Sequence, residues 1–128
     1  SDIYIAGIDD VSTEMDDAKS VAAQVNSKDF VIFLAHNPSV ISSSLLLTDR
    51  NGRGNWFDLG LFGHTHGGQI PFLEEAFNFN GVPSRYESGL LLENRSWLLI
   101  SRGVGTTGLP ARLFCQPEIH LITVQSGT

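Results

Sequence analysis

The spacing of apolar positions changes several times along the chain, and each change marks an element. Ile3-Tyr4-Ile5-Ala6-Gly7-Ile8 is rich in apolar and β-branched residues and runs into Asp9-Asp10, the pattern of a strand entering a loop. Ala18, Val21, Ala22 and Val25 then recur at the i, i+3, i+4, i+7 spacing of one helical face. Asp16 and Asp17 stand near its start, where the helix dipole favours negative charge, and residues 26–29 read as the turn that follows. Phe30-Val31-Ile32-Phe33-Leu34-Ala35 is continuously apolar, which suits a central strand covered on both faces and ending at His36. Asn37 is placed to cap a helix with Pro38 in its first turn and Val40, Ile41 and Leu45 on its buried side.

Residues 48–55 are polar and contain glycine, predicting a loop, and residues 57–62 predict a further short strand ending at Gly63. Two histidine-bearing segments, His36 and then His64-Thr65-His66, therefore each follow a strand, the place where open α/β sheets put their sites. Beyond them the pattern shortens. Residues 89–92, 97–101 and 118–124 are β-rich runs split by glycine and proline, with no long helical pattern between them, so the expectation is a mixed sheet. His120 falls inside the last run and is read as a strand residue, and residues 125–128 as a polar tail.

Composition narrows the classes. With 128 residues, 41% of them hydrophobic and 17% charged, the chain is globular in type and is read as a single domain over 1–128. A formal charge of −6 and the lack of a Lys/Arg stripe argue against nucleic-acid binding. Acidity is compatible with phosphate-ester chemistry, because bound divalent cations supply the positive charge that the side chains lack. The one cysteine, Cys115, excludes an intramolecular disulfide and reads as a small apolar residue. No apolar run reaches the roughly 18 to 20 residues of a membrane span, and the first residues lack the layout of a signal peptide; compartment is left open.

Three of the four histidines sit just beyond predicted strands, and His64 and His66 form an H-x-H framed by glycines, which lets backbone approach an ion closely. Core packing gives little reason for that arrangement. In two-metal hydrolases the ions lie about 3.5 to 4 Å apart, so neighbouring imidazoles can serve different ions. His36 adds a third candidate.

Gly63-His64-Thr65-His66-Gly67-Gly68-Gln69 resembles the G-H-T-H-G-G-Q signature that closes the metal site of calcineurin-like metallophosphoesterases, in particular a bacterial branch of that family. Leu34-Ala35-His36-Asn37-Pro38 is similar to that branch's preceding histidine motif. Ser101-Arg102-Gly103-Val104-Gly105 and Pro117-Glu118-Ile119 resemble its terminal blocks, so the resemblance covers nearly the whole chain. It implies an α/β fold: the C-terminal half of a four-layer α/β/β/α sandwich with mixed sheets. It also implies a dinuclear site at strand ends, where two divalent cations, Mn, Fe or Zn, activate water for in-line attack on a phosphate monoester or diester. By the same resemblance His36 and His64 hold one metal and His66 the other.

The family's earlier blocks, D-x-H, G-D-x-x-D and G-N-H-D or G-N-H-E, do not occur in this sequence. They supply the bridging aspartate, the remaining carboxylate and asparagine ligands, and the histidine that protonates the leaving group, so no general acid is assigned here. Asp9-Asp10 lacks their spacing and is expected not to replace them. The resulting expectation is an incomplete site with weak metal binding and negligible turnover, partnered by the missing N-terminal half of the same domain. Such a half exposes apolar surface or a sheet edge and tends to self-associate. The competing readings are a non-catalytic metal-binding or protein-interaction module and, ranked below it, a structural zinc site built from His36, His64 and His66. Arg102, in a glycine-rich loop, is read either as a contact to substrate phosphate or as half of a surface salt bridge. Arg112 and Glu118 are expected to pair. Trp56, Phe57, Phe62, Phe72, Phe77 and Phe79 are read as core, or as a lining for the missing half.

Overall fold

The computed structural model describes residues 2–13, 17–69 and 82–127. The apolar runs become strands β1 (Ile3–Gly7), β2 (Phe30–Leu34) and β3 (Leu59–Phe62), and the later β-rich runs become β4 (Gly89–Glu93) and β5 (Ser96–Ile100). They form one sheet in the order β1-β2-β3-β5-β4. The sheet is mixed, as expected: β1, β2, β3 and β5 run parallel, and β4 pairs antiparallel with β5. The β4–β5 turn uses Asn94 and Arg95, both at positive φ (46° and 69°), not glycine or proline. Two central residues of that hand match the twist of the flanking strands.

Between β1 and β2 the helix α1 (Ala18–Ala22) is shorter than its apolar spacing predicts. Asp17 caps it by accepting from the Ser20 N–H, while Asp16 lies outside the described residues. Past Ala22 the backbone tightens, with Gln24 N bonding Val21 O and Val25 N bonding Ala22 O, because the next residues are tied elsewhere. Asp49 accepts the Ser27 N–H at 2.8 Å, and Arg50 N–H donates to Val25 O. Val25 is buried all the same. After β2, Asn37 caps a 3-10 turn, Pro38–Val40, through the Ser39 N–H, and the chain continues as α2 (Ile41–Ser44). Val40 and Ile41 are buried, as their pattern requires.

Side chains alternate across the sheet, which sorts its two faces. On one face Val31, Phe33, Phe62, Leu98 and Ile100 pack with Ala22, Ile41, Trp56, Phe57 and Tyr86 into the core. Phe33 is its centre, with ring centroids 4.9 Å from Trp56, 5.3 Å from Phe57 and 5.9 Å from Phe62. Trp56 Nε1 donates to Ser44 O at 2.8 Å, so the large ring is buried with its polar atom satisfied. Trp56, Phe57 and Phe62 are thus core; Phe72, Phe77 and Phe79 lie outside the described residues. The opposite face carries Ile3, Ile5, Leu34, Leu90, Leu92 and Trp97, all substantially exposed, with Ile5 at 71%. The residues that share this face follow from the registers Ile5↔Ile32 and Leu90↔Leu99.

One expected strand is absent. Residues 118–124 carry the β pattern but pair with no strand among the described residues, and Ile119 and Leu121 stand 87% and 95% exposed. Both sides of β5 are already taken, by β3 and β4, and β propensity alone does not seat the segment on an outer strand of the sheet. His120 is correspondingly not a sheet residue; its Nε2 lies 3.1 Å from Glu118 Oε1. Among the described residues no helix is long and apolar enough to cross a membrane.

Candidate functional site

Because β1, β2 and β3 are adjacent and parallel, their C-terminal ends lie on one edge of the sheet. Gly7 pairs with Leu34 and Leu34 with Leu61, so the loops that follow start at the same level. His36 leaves β2 and His64 leaves β3 on that edge, and Gly63 N–H donates to His36 O at 3.0 Å, holding the two exits together. Their rings meet: His64 Nδ1 lies 3.1 Å from His36 Nε2, with the ring planes at 75°. Burial, and then the neighbouring His36, hold the His64 pKa below the ordinary imidazole value, against the pull of Asp10 in the other direction. A lowered pKa favours the neutral form of His64, the form in which an imidazole binds metals.

The H-x-H segment is bent to an unusual degree. His64, His66, Gly67, Gly68 and Gln69 all have positive φ, at 68°, 52°, 61°, 73° and 44°. Non-glycine residues in this region are strained and persist only where surroundings over-determine them. Here the surroundings do so. The Thr65 hydroxyl donates to Glu87 O at 2.5 Å, and the Cys115 thiol lies 3.1 Å from both His66 O and Gly67 O. A Cβ on Gly67 would lie 2.6 Å from Cys115 Sγ, and one on Gly68 2.0 Å from Glu87 Oε1, so both glycines are needed for fit as well as φ. Cys115 is buried as a small residue, as expected, but also works as a donor to the bend.

His66 turns toward a different loop. Its Nδ1 lies 3.3 Å from Gly105 O, and a donating Nδ1–H would make Nε2 the ligating nitrogen. Gly105 O is itself held by Arg112 Nε at 2.8 Å. The rest of the loop is fixed by the fully buried Gln69, whose amide donates to Thr107 O (3.0 Å) and Leu109 O (2.9 Å) and accepts from Thr107 N–H (2.7 Å). Sequence reasoning passed over Gln69 and Arg112 in this role, and residue type alone gives no signal of it.

Arg102 forms the surface salt bridge that was one of its two readings. Its Nε and Nη2 reach Glu118 Oε2 at 3.0 and 2.7 Å, and its N–H donates to Oε1. Those hydrogen bonds pull the Glu118 pKa down to about 2. The expected Arg112–Glu118 pair is therefore replaced: Glu118 is taken by Arg102, and Arg112 turns instead to the carbonyls of Gly105, Cys115 and Arg102.

Asp10 was set aside at the sequence level, yet its Oδ2 stands 3.8 Å from His36 Nε2. Sequence spacing gave no sign of this, because the approach is made by strand pairing and not by a local motif. Two imidazole nitrogens bonded to one ion at about 2.0–2.1 Å stand about 3 to 3.5 Å apart, so the His36–His64 separation fits a shared divalent cation. It is a partial shell. Among the described residues no group of three or more His, Cys, Asp and Glu side chains is placed to hold a metal ion.

No family model matches the chain, and no solved structure matches it. Curated relatives do. The uncharacterised Bacillus subtilis protein YpbG is 35% identical over 124 residues, covering 95% of this chain and 42% of YpbG. The uncharacterised metallophosphoesterase YkuE of the same organism is 32% identical over 130 residues, covering 98% of this chain and 42% of YkuE. The phosphodiesterase YaeI of Escherichia coli is 37% identical over 97 residues, 71% of this chain and 31% of YaeI. The chain spans less than half the length of these relatives and matches a C-terminal portion of them.

Proposed function

Because this chain belongs to the metallophosphoesterase family, we propose that it supplies the histidine side of a dinuclear site that hydrolyses phosphate monoesters or diesters. The observation that carries the reading is the meeting of His36 Nε2 and His64 Nδ1 at 3.1 Å on the C-terminal edge of parallel strands. In this reading His36 and His64 hold one cation and His66 the other, with Gly105 O fixing the His66 tautomer. Divalent cations such as Mn, Fe or Zn, when bound there, supply the charge that neutralises phosphoryl oxygens and acidifies water. The bent His64–Gln69 segment keeps the imidazoles in place so that binding needs little rearrangement. An Arg102 contact to substrate phosphate would compete with Glu118, which makes the arginine a weaker candidate than the histidines.

No D-x-H, G-D-x-x-D or G-N-H-D/E block accompanies these ligands, so turnover requires the segment that carries them. The exposed apolar face of the sheet and the unpaired β-rich run 118–124 fit such a partner and, without it, self-association. The test is Mn- or Zn-dependent hydrolysis of a chromogenic phosphodiester by the chain, alone and mixed with a segment bearing the missing blocks. Activity is expected only on mixing and is expected to vanish in His64→Ala/His66→Ala. Activity of the chain alone would contradict the need for the missing carboxylates. Absence of activity in a verified assembly would favour a non-catalytic metal-binding or interaction module.

A further inference from the structure

We propose that Arg112 is a positioning residue for His66, acting through the carbonyl of Gly105. The proposal rests on His66 serving as a metal ligand, and it says what makes the ring present the nitrogen that binding requires. A backbone carbonyl can only accept, so the 3.3 Å contact between His66 Nδ1 and Gly105 O is a hydrogen bond only when Nδ1 carries the proton. The hydrogen bond made by one ring nitrogen thereby sets the state of the other, and a neutral ring protonated on Nδ1 has its lone pair on Nε2. Gly105 also lies along the ring: a Cβ built on it would stand 3.8 Å from His66 Cε1, at ordinary contact distance. The orientation and tautomer of His66 therefore depend on where the Gly105 peptide is held.

Residues 101–113 form neither helix nor strand, so no ladder fixes that peptide. Arg112 provides the anchor. Its Nε donates to Gly105 O at 2.8 Å, its Nη1 to Cys115 O at 3.3 Å and its Nη2 to Arg102 O, so the three nitrogens of one rigid plane bind carbonyls from both ends of the loop. A lysine, with one nitrogen on a flexible stem, cannot reproduce that fork. The arginine is in turn fixed relative to the bend that carries His66. Leu113 N–H donates to Gln69 O at 3.0 Å, and the Cys115 thiol lies 3.1 Å from both His66 O and Gly67 O. Gly105 O has two lone pairs and serves both donors, and a charged donor on one of them polarises the carbonyl in favour of the other.

The imidazole nitrogen resonances, recorded without metal above the imidazole titration range, read the tautomer directly. His66 of the unsubstituted chain is expected to show a protonated Nδ1 and an unprotonated Nε2. Arg112→Lys keeps the charge and loses the fork, and Arg112→Gln loses the charge as well. In both, the His66 signals are expected to move toward the Nε2–H form that an unconstrained histidine favours, while those of His36 and His64 stay in place; Arg50→Lys is expected to move none of them. A lowered melting temperature with the His66 tautomer unchanged would make Arg112 a residue of the fold alone and overturn the proposal. So would an Nε2–H tautomer in the unsubstituted chain, or collapse of all three histidine signals in both variants. In the mixture with a segment bearing the missing blocks, Arg112→Lys is expected to lower Mn-dependent hydrolysis about ten-fold or more. Full activity there despite an altered tautomer would also overturn the role. An inactive unsubstituted mixture beside the expected tautomer change would instead fail the hydrolytic reading and leave the hold of Arg112 on His66 standing.

Discussion

Single side chains decide the shape of the site more than its motif alone does. The H-x-H spacing singled out His64 and His66 as candidate metal ligands. What holds the bend comes from distant positions: Glu87 O on Thr65, the Cys115 thiol on the His66 and Gly67 carbonyls, and Gly105 O on His66. Arg102 and Glu118 anchor the segment that follows β5 to the chain's last β-rich run. Glu118 has its pKa lowered from 4.5 to about 2, chiefly by the Arg102 hydrogen bonds. A carboxylate with a depressed folded-state pKa contributes stability that is complete above its unfolded value and is lost as pH falls through the folded one. Native stability is therefore expected to decline between about pH 4.5 and pH 2, and Glu118→Gln to flatten part of that decline in denaturant melts at several pH values. An identical pH profile in the two proteins would contradict this.

At the scale of elements, the runs that could be read were those whose partners lie close in the chain. β1, β2 and β3 are short apolar stretches followed by loops, and Asn37-Pro38 announces its own cap. Residues 118–124 were misread because a strand needs a partner, and propensity describes only one side of a ladder. The helix after β1 was read too long because Asp49, 24 positions beyond Val25, was invisible as its terminator. That carboxylate accepts from Ser27, Asn51 and Arg53 N–H groups, at 2.8, 2.8 and 2.9 Å. Burial opposes its ionisation, but these hydrogen bonds outweigh burial and hold its pKa well below the carboxylate range. Asp49→Ala strands three donors and is expected to cost roughly 2–3 kcal/mol of stability. Urea unfolding checks this, and a loss below about 0.5 kcal/mol, within the range of an ordinary surface substitution, would show that the loop is held by other means.

For the molecule as a whole, the described residues form a mixed sheet covered by short helices on one face and apolar on the other. The parallel strand ends gather Asp10, His36 and His64 on one edge, and the bend after β3 places His66 in the loop beyond. The fold class and the placement of His36 and His64 just beyond strand ends were legible in the sequence, because both are written in local patterns. The approach of Asp10 to His36 and the Gln69–Arg112 clasp were not, since only the register of the sheet and the path of the 103–113 loop create them. The most direct test of this assembly is anomalous scattering at the zinc edge from crystals of the chain grown with zinc. A peak within bonding distance of both His36 Nε2 and His64 Nδ1 is the predicted result. Ordered zinc elsewhere, with those nitrogens bonded only to protein groups or water, would contradict the central claim that this strand edge is built to hold a metal.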